Sequence, residues 1–300
     1  MAGEIQQVYV DAFRDNIRHL SQQKTSKLRQ FTDQWSPEAQ TGAWDRLSKA
    51  EMAAKTRKEA TPEGGREWTR RIAIASPWSD GEIIESEDPS MMLADPNSNL
   101  TMSMGYATGR KIDDIVIAAA IGNATSIARD PLTPHDGTHT PTAAPLPAGQ
   151  AIDGTGGGLT FDLVTEAQEK FMLNDIDPDM PKIFVVGPRQ VRELMNLTEN
   201  TSSDYVQAQA LQQYGIVPNW LGFTWISSNR LTGTSGTTRE CFAMTYDAVG
   251  LHIPQDVQTF VQRDPSLSYA WRPYCQMTLG AVRVEDEKVV KVTVDDTTTP

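Results

Sequence analysis

The sequence has few of the residues that build small proteins held together by disulfides or metals. Only two cysteines, Cys241 and Cys275, occur among its 300 residues. A disulfide scaffold needs more cysteines, and the usual zinc and redox sites need a CxxC pair, which is absent. Both cysteines lie in apolar runs. We therefore expect two reduced, buried thiols rather than a bridge between them.

Long hydrophobic runs are also missing. The longest uncharged apolar-rich stretch covers residues 115–128 and contains Gly122, Asn123 and Ser126, so it is too short and too polar to span a bilayer. The first residues lack the basic region and apolar segment of a signal peptide. The sequence therefore predicts a protein made and used in a reducing, aqueous compartment, with no membrane partner.

The motifs of common enzymes are absent as well. The sequence contains no HExxH, GxSxG, Walker-type loop or GxGxxG. The glycine-rich stretch 154–158 follows a linker-like segment and lacks the lysine of a phosphate loop, so we interpret it as a flexible linker. His135 and His139 lie four residues apart, but Pro134 and Gly137 argue against the helix that a metal-binding pair would need. We expect no enzymatic activity and no cofactor.

One acidic triplet has the spacing that opens a calcium loop, formed by Asp175, Asp177 and Asp179. Such a loop requires glycine at its sixth position and glutamate at its twelfth, where this chain has Met180 and Val186. The triplet is therefore interpreted as a solvated turn between a helix and a strand, and no metal site is expected.

Charge is present in excess and is unevenly distributed. The chain has 27 Lys+Arg and 39 Asp+Glu, a net charge of -12, which argues against a dedicated nucleic-acid binder. Residues 1–75 hold 13 basic and 10 acidic residues, a net of +3, whereas the remainder holds 14 and 29, a net of -15. Because the signs alternate within the first quarter, it resembles a solvated arm, or one that meets complementary charges on another copy.

The pattern along the chain predicts two extended features and one long helix. Apolar residues at helical spacing predict an amphipathic helix from about Val8 to Phe31, which packs either on its own domain or on something else. Residues 36–80 predict a long projecting hairpin whose second arm includes a strand at 70–75. A helix of about 24 residues is predicted over 98–121, in which Gly105 and Gly109 permit a close crossing by another backbone. The Pro- and Gly-rich stretch 129–158 is predicted to be a loop or linker.

From Leu159 onward the pattern becomes α/β. The predicted elements are helices at 159–173, 188–197 and 204–214, strands at 182–187, 222–227, 241–246 and 249–253, and a terminal hairpin of Met277–Glu285 with Lys288–Val294. The fold class that follows is α+β.

The order of these parts resembles the Hong Kong 97-type major capsid proteins of tailed phages, in particular a group from short-tailed and related phages. The stretches that carry the resemblance are His19–Leu28, Arg70-Arg71, Arg110–Asp114, Asp204–Gln207 and Leu221–Leu231. The resemblance covers essentially the whole chain, and it lies in the order of the motifs more than in any one of them. The least similar part is 129–158.

The resemblance implies a division of the chain into parts. These are an N-terminal arm (1–35), an E-loop (36–80), a P-domain (81–158) with a spine helix at about 98–121, an A-domain (159–261) and C-terminal P-domain strands (262–300). Residues expected at inter-subunit contacts are Phe13, Ile17, Leu20, Arg57, Lys58, Trp68, Arg70 and Arg71.

The resemblance also implies a function and partners. The chain would assemble with itself, as hexamers and pentamers, into an icosahedral shell around phage double-stranded DNA, which it would contact without sequence specificity. It would be built in the host cytoplasm and reside in the virion capsid. The resemblance also implies a separate scaffolding protein and a portal protein, and it is compatible with a decoration or cement protein. The alternatives are an encapsulin-like compartment shell and a soluble α/β enzyme or ligand-binding module with an unrecognised site.

Overall fold

The computed structural model describes residues 22–52, 54–55, 57–58, 60, 66–85, 96–129, 141–196, 219–233 and 237–297. The helices in these ranges are α1 (Pro96–Ile121), α2 (Phe161–Leu173) and α3 (Pro188–Asn196). The strands, in chain order, are β1 (Asp33–Trp35), β2 (Thr41–Leu47), β3 (Trp68–Ile74), β4 (Ser76–Gly81), β5 (Ala124–Arg129), β6 (Thr142–Ala144), β7 (Ala151–Gly154), β8 (Lys182–Val186), β9 (Asn219–Trp220), β10 (Phe223–Ser227), β11 (Thr238–Thr245), β12 (Val249–Asp264), β13 (Ala270–Arg283) and β14 (Val289–Asp295).

The strands form three sheets in a mixed α+β fold. One sheet has the order β1-β12-β13-β4, a second has β7-β14-β11-β8-β10-β9, and a third has β2-β3-β5-β6. The six-stranded sheet takes β7 and β14 from outside the segment 159–261. Among the described residues, no helix is long and apolar enough to cross a membrane.

The main core lies on the six-stranded sheet. All five residues of β8 are buried, because the strand lies between β11 and β10 in the interior of the sheet. The side chains of α2 that face the core, Val164, Ala167 and Phe171, recur at three- and four-residue steps. The Thr160 side chain caps this helix by accepting a hydrogen bond from the backbone N–H of Leu163. The sequence prediction of an α/β segment here is confirmed.

The long helix is confirmed at 26 residues, or roughly 39 Å at 1.5 Å per residue. Its second half is anchored by Ile112, Val116, Ile117 and Ala120, which are buried at helical spacing. The helix ends at Ile121, and the chain continues directly into β5.

The hairpin predicted in the first quarter is also present. Strands β2 and β3 pair antiparallel from Thr41↔Ile74 to Leu47↔Trp68, and we call this whole paired part the hairpin base. On its other edge β3 pairs with β5, which ties the base of the hairpin to the chain that leaves α1.

The predicted terminal hairpin is wrong. Strand β13 pairs with β12 and β4, whereas β14 lies between β11 and β7 in the six-stranded sheet. The turn at 284–288 therefore connects two sheets. Val289, Val290, Val292 and Val294 are all buried, because β14 is an interior strand of its sheet.

The interpretation of 129–158 as a loop or linker is wrong for two strands within its described part, 141–158. This part contains β6 and β7, and β7 pairs in parallel with β14. The glycine-rich stretch 154–158 is the turn after β7, in which the N–H of Gly157 bonds to the carbonyl of Gly154 and the N–H of Asp295 bonds to Gly157. His135 and His139 lie outside the described residues.

Two further predictions have mixed outcomes. The interpretation of Asp175, Asp177 and Asp179 as a turn between a helix and a strand is confirmed, since they lie between the end of α2 and the start of β8. The helix predicted up to Phe31 is wrong over 22–31, which contains only a short 3-10 turn at Arg29–Phe31. The earlier part of that helix and the predicted helix at 204–214 lie outside the described residues.

Candidate inter-subunit surfaces

The chain that precedes β1 is fixed to helix α1 by one buried carboxylate. Asp113 is fully buried and accepts hydrogen bonds from the Ser26 hydroxyl (2.5 Å) and from the backbone N–H groups of Lys27 and Leu28 (both 3.1 Å). The side-chain amide of Gln23 donates to the same carboxylate. Since Asp113 takes up these two backbone N–H groups, the segment does not continue as an α-helix. We call residues 22–28 the arm root.

A second feature brings the arm root close to α1. A Cβ atom placed on Gly109 would lie 2.9 Å from the backbone N of Ser26 and 3.0 Å from the backbone C of Thr25. A Cβ atom on Gly105 would meet no described atom within 4 Å. Of the two glycines expected at a close crossing, Gly109 is thus the one beside a crossing backbone. Leu28 then enters the main core, fully buried.

The 3-10 turn after the arm root is held to the long strand β12. Arg29 donates to both carboxylate oxygens of Asp256 on β12, at 3.2 and 2.8 Å. This hydrogen bonding lowers the pKa of Asp256 below its ordinary value. Residues 22–31 therefore follow a path fixed by α1 and β12. The expected contact residues Phe13, Ile17 and Leu20 lie outside the described residues.

The distal part of the β2–β3 hairpin has no core of its own. Every described residue from 47 to 68 is exposed, including Arg57 and Lys58 near the tip. Large apolar side chains are among them: Trp68 is 42% exposed and Leu47 is 46% exposed. We call residues 47–68 the hairpin tip. Exposed apolar surface on a segment without a core is typical of an interaction site.

The two neighbouring arginines of β3 have different surroundings. Arg70 makes a paired contact with Asp45 across the hairpin, at 2.6 and 3.0 Å, and this hydrogen bonding raises the pKa of Arg70. Arg71 is only 4% exposed and donates to Asp286 at 2.5 Å. The structure thus places Arg71 inside the subunit, because alternate residues of a strand point to opposite faces.

Three arginines converge on Asp286 at the hairpin base. Besides Arg71, the fully buried Arg283 donates to the other carboxylate oxygen at 2.7 Å, and Arg46 lies 3.5 Å from the oxygen that Arg71 contacts. The sequence reading missed Asp113, Arg283 and Asp286. A charged residue inside an apolar stretch is the sequence pattern that could have indicated these three residues, as with Asp113 between Ile112 and Ile115.

Both cysteines are free and buried, as expected. Burial raises the pKa of the Cys241 thiol to about 12, so it stays protonated and unreactive near neutral pH. Within the described ranges, no group of three or more His, Cys, Asp or Glu side chains could hold a metal ion.

Comparisons with known proteins agree with this geometry. The chain superimposes on the capsid of cyanophage P-SCSP1u with a TM-score of 0.73, at 14% identity, over 98% of this chain and 95% of that chain. The capsid of Ralstonia phage GP4 gives 0.70 at 10% identity over 100% and 99%, and the cyanophage Pam1 capsid asymmetric unit gives 0.70 at 14% identity over 100% of both chains. At these identities the likeness shows the fold.

The family itself is shown by a sequence model. No curated protein matches the chain. A family model described as phage capsid protein, however, matches residues 5–296. Since this match spans nearly the whole sequence, the chain belongs to the phage capsid protein family.

Proposed function

We propose that this capsid protein assembles with itself, as hexamers and pentamers, into an icosahedral shell that encloses double-stranded phage DNA, and that its parts follow the Hong Kong 97-type layout. In that layout residues 1–35 are the arm, 36–80 the E-loop and α1 the spine helix. The protein would assemble in the host cytoplasm and reside in the virion capsid.

The observation that carries the proposal is the hairpin tip. Its described residues are all classed as exposed and join no hydrophobic core of the subunit, and they include Leu47 and Trp68 together with basic and acidic side chains. Water-exposed apolar area of this kind is stabilised when another surface covers it, at about 25 cal/mol per Å² buried. A neighbouring copy is the partner that a shell supplies at every position.

The base of the hairpin supports the same reading. The pairing of β2, β3 and β5 and the ion pairs at Asp286 hold the base rigidly, so the direction in which the tip projects is set before assembly. Rigid positioning lowers the entropy cost of docking the tip on a neighbour. Our proposed inter-subunit contacts on this hairpin remain Arg57, Lys58, Trp68 and Arg70. Those on the arm remain Phe13, Ile17 and Leu20.

The charge distribution supports contact between unlike regions of two copies. The first 75 residues carry +3 and the other 225 carry -15, so an arm or hairpin that crosses a neighbour meets opposite charge. An acidic body also holds DNA weakly, because affinity for DNA rises with the number of phosphates that are neutralised. A separate scaffolding protein and a portal protein complete the proposed set of partners.

The test is to shorten the hairpin without disturbing its paired base. Residues 50–65 are replaced with four Gly/Ser residues, which leaves β2 and β3 intact, and the chain is expressed with its scaffolding protein. We expect subunits with the circular dichroism of the original chain but few closed shells by negative-stain electron microscopy. Normal shells would contradict the proposed role of the tip. Loss of the folded signal would contradict its independence from the core.

A further inference from the structure

The arm root winds around helix α1 when the chain is followed back towards its first residue. The backbone of residues 25–26 lies against Gly109, and the carboxylate of Asp113 holds the arm root beside it. Gln22, the first described residue, accepts a hydrogen bond from Nη1 of Arg110 at 2.6 Å. Since successive helix residues are about 100° apart, positions 109, 113 and 110 follow one another around α1. The chain before Gln22 is therefore directed towards the next face of this helix.

That next face forms one wall of an open cleft. Ala107, Lys111 and Asp114 line this wall beside Arg110, and strands β4 and β13 form the opposite wall. The cleft has a volume of about 460 Å³, which falls within the range of about 300–1,000 Å³ for sites that enclose a small ligand. It therefore has room for side chains from another segment.

The cleft offers apolar surface as well as charge. On β13, Cys275 and Met277 are buried where they line it, whereas Trp78 on β4 is 38% exposed. Nζ of Lys111 lies 3.6 Å from the centre of the Trp78 ring and covers one face of it. An apolar side chain that entered the cleft would remove the remaining apolar area from water, which is favourable.

An apolar stripe lies in the sequence directly before the arm root. Phe13, Ile17 and Leu20 recur at three- and four-residue steps, and Leu20 precedes Gln22 by two positions. Two residues span at most about 7 Å, so Leu20 starts close to the cleft. This short tether gives the stripe an effective concentration in the millimolar range at the cleft of its own chain, which a segment of a second copy does not have.

We propose that in the dispersed subunit residues 13–20 dock in the cleft between α1 and β4, with Ile17 and Leu20 against Trp78. This contact forms within one chain, so it does not rest on the proposed shell function. In a shell, the same residues reach a neighbouring copy only after they leave the cleft. The cleft would thus hold the arm back until assembly.

The first experiment measures proximity by disulfide cross-linking of dispersed full-length subunits, with oxidised glutathione as the oxidant. Ile17→Cys is combined with Ala107→Cys, in a Cys275→Ala background that removes the native thiol of the cleft. We expect an intramolecular disulfide, seen as a shifted monomer band in non-reducing electrophoresis, because a disulfide forms when the two Cα atoms lie within about 7 Å.

The matched control replaces Ala107→Cys with Ala118→Cys. Ala118 is exposed on the same helix, about three turns further along and outside the cleft. A freely moving segment would reach both positions, because the five residues from 17 to 22 span up to roughly 17 Å. We expect cross-linking at position 107 to be at least about tenfold faster than at 118. Equal rates, or dimers in place of the intramolecular product, would overturn the proposal.

The second experiment leaves the cleft unaltered, so it keeps the test valid if the cysteine variants fail to fold. Oxidation of Trp78 by hydroxyl radicals is read by mass spectrometry in a chain with Ile17→Asp and Leu20→Asp. We expect it to rise severalfold over the unaltered chain, while Trp68 on the hairpin tip stays unchanged as an internal reference. Arg18→Asp, which leaves the stripe intact, should not change Trp78. Equal oxidation of Trp78 in all three chains would refute the docking.

Discussion

Replacing Asp113 with asparagine should release the arm root from helix α1. The carboxylate of Asp113 accepts from the Ser26 hydroxyl, from two backbone N–H groups and from Gln23, and no part of it contacts water. An asparagine keeps the shape but turns one acceptor into a donor that faces these groups. We expect about two charge-assisted hydrogen bonds to be lost at about 1.5 kcal/mol each, or about 3 kcal/mol in all.

The adjacent Asp114 gives a matched control. Asp114 pairs with Arg230 at a partly exposed position, where an ion pair contributes at most about 1 kcal/mol. Asp114→Asn should therefore cost about 1 kcal/mol or less. The two variants differ by one position on the same helix, so helix propensity cannot explain a difference between them.

The assay is hydrogen–deuterium exchange of dispersed subunits, read by mass spectrometry, together with urea unfolding. In Asp113→Asn the amides of 22–31 should exchange at least about a hundredfold faster, as a local loss of about 3 kcal/mol implies. In Asp114→Asn they should exchange as in the unaltered chain. Equal protection of 22–31 in both variants would refute the role given to Asp113.

Two further predictions follow from the same region. Gly109→Ala should destabilise the subunit by about 1–2 kcal/mol in urea unfolding, because the new Cβ would press on the backbone of Ser26. Gly105→Ala should be neutral or stabilising by up to about 1 kcal/mol. Equal effects of the two substitutions would contradict the close crossing at Gly109. The lowered pKa of Asp256 means that its pairing with Arg29 stabilises the fold above the ordinary value of 3.8 and is lost as the pH falls below it. The difference in unfolding free energy between the unaltered chain and Asp256→Asn should therefore shrink below pH 3.8, and a difference that stays constant would argue against this pair.

Features with a strong local pattern could be predicted from the sequence. The spacing of Ile112, Val116 and Ala120 indicates the long helix, and the apolar run of β8 indicates a buried strand. The β2–β3 hairpin could be predicted because a charged segment that contains a turn and one alternating strand can adopt few other structures. In each case the residues that specify the element are neighbours in the chain.

Features that depend on distant partners could not be predicted. The alternation of Val289, Val290 and Val292 indicates a strand, but nothing local indicates that β14 joins β11 and β7 rather than the preceding β13. The same limit applies to charges. Helical spacing places Asp113, and not the adjacent Asp114, on the buried face of Ile112, Val116 and Ile117. Nothing local indicates that its partners are the hydroxyl and backbone N–H groups of the arm root, more than 80 positions earlier.

We propose that the hairpin tip of one capsid subunit reaches across its neighbour. The most direct test is a cryo-electron microscopy map of shells assembled from the full chain and its scaffolding protein. We expect density for residues 47–68 on an adjacent subunit, with Leu47 and Trp68 covered there. A tip that projects into solvent in every subunit, or one that folds back on its own subunit, would contradict this contact.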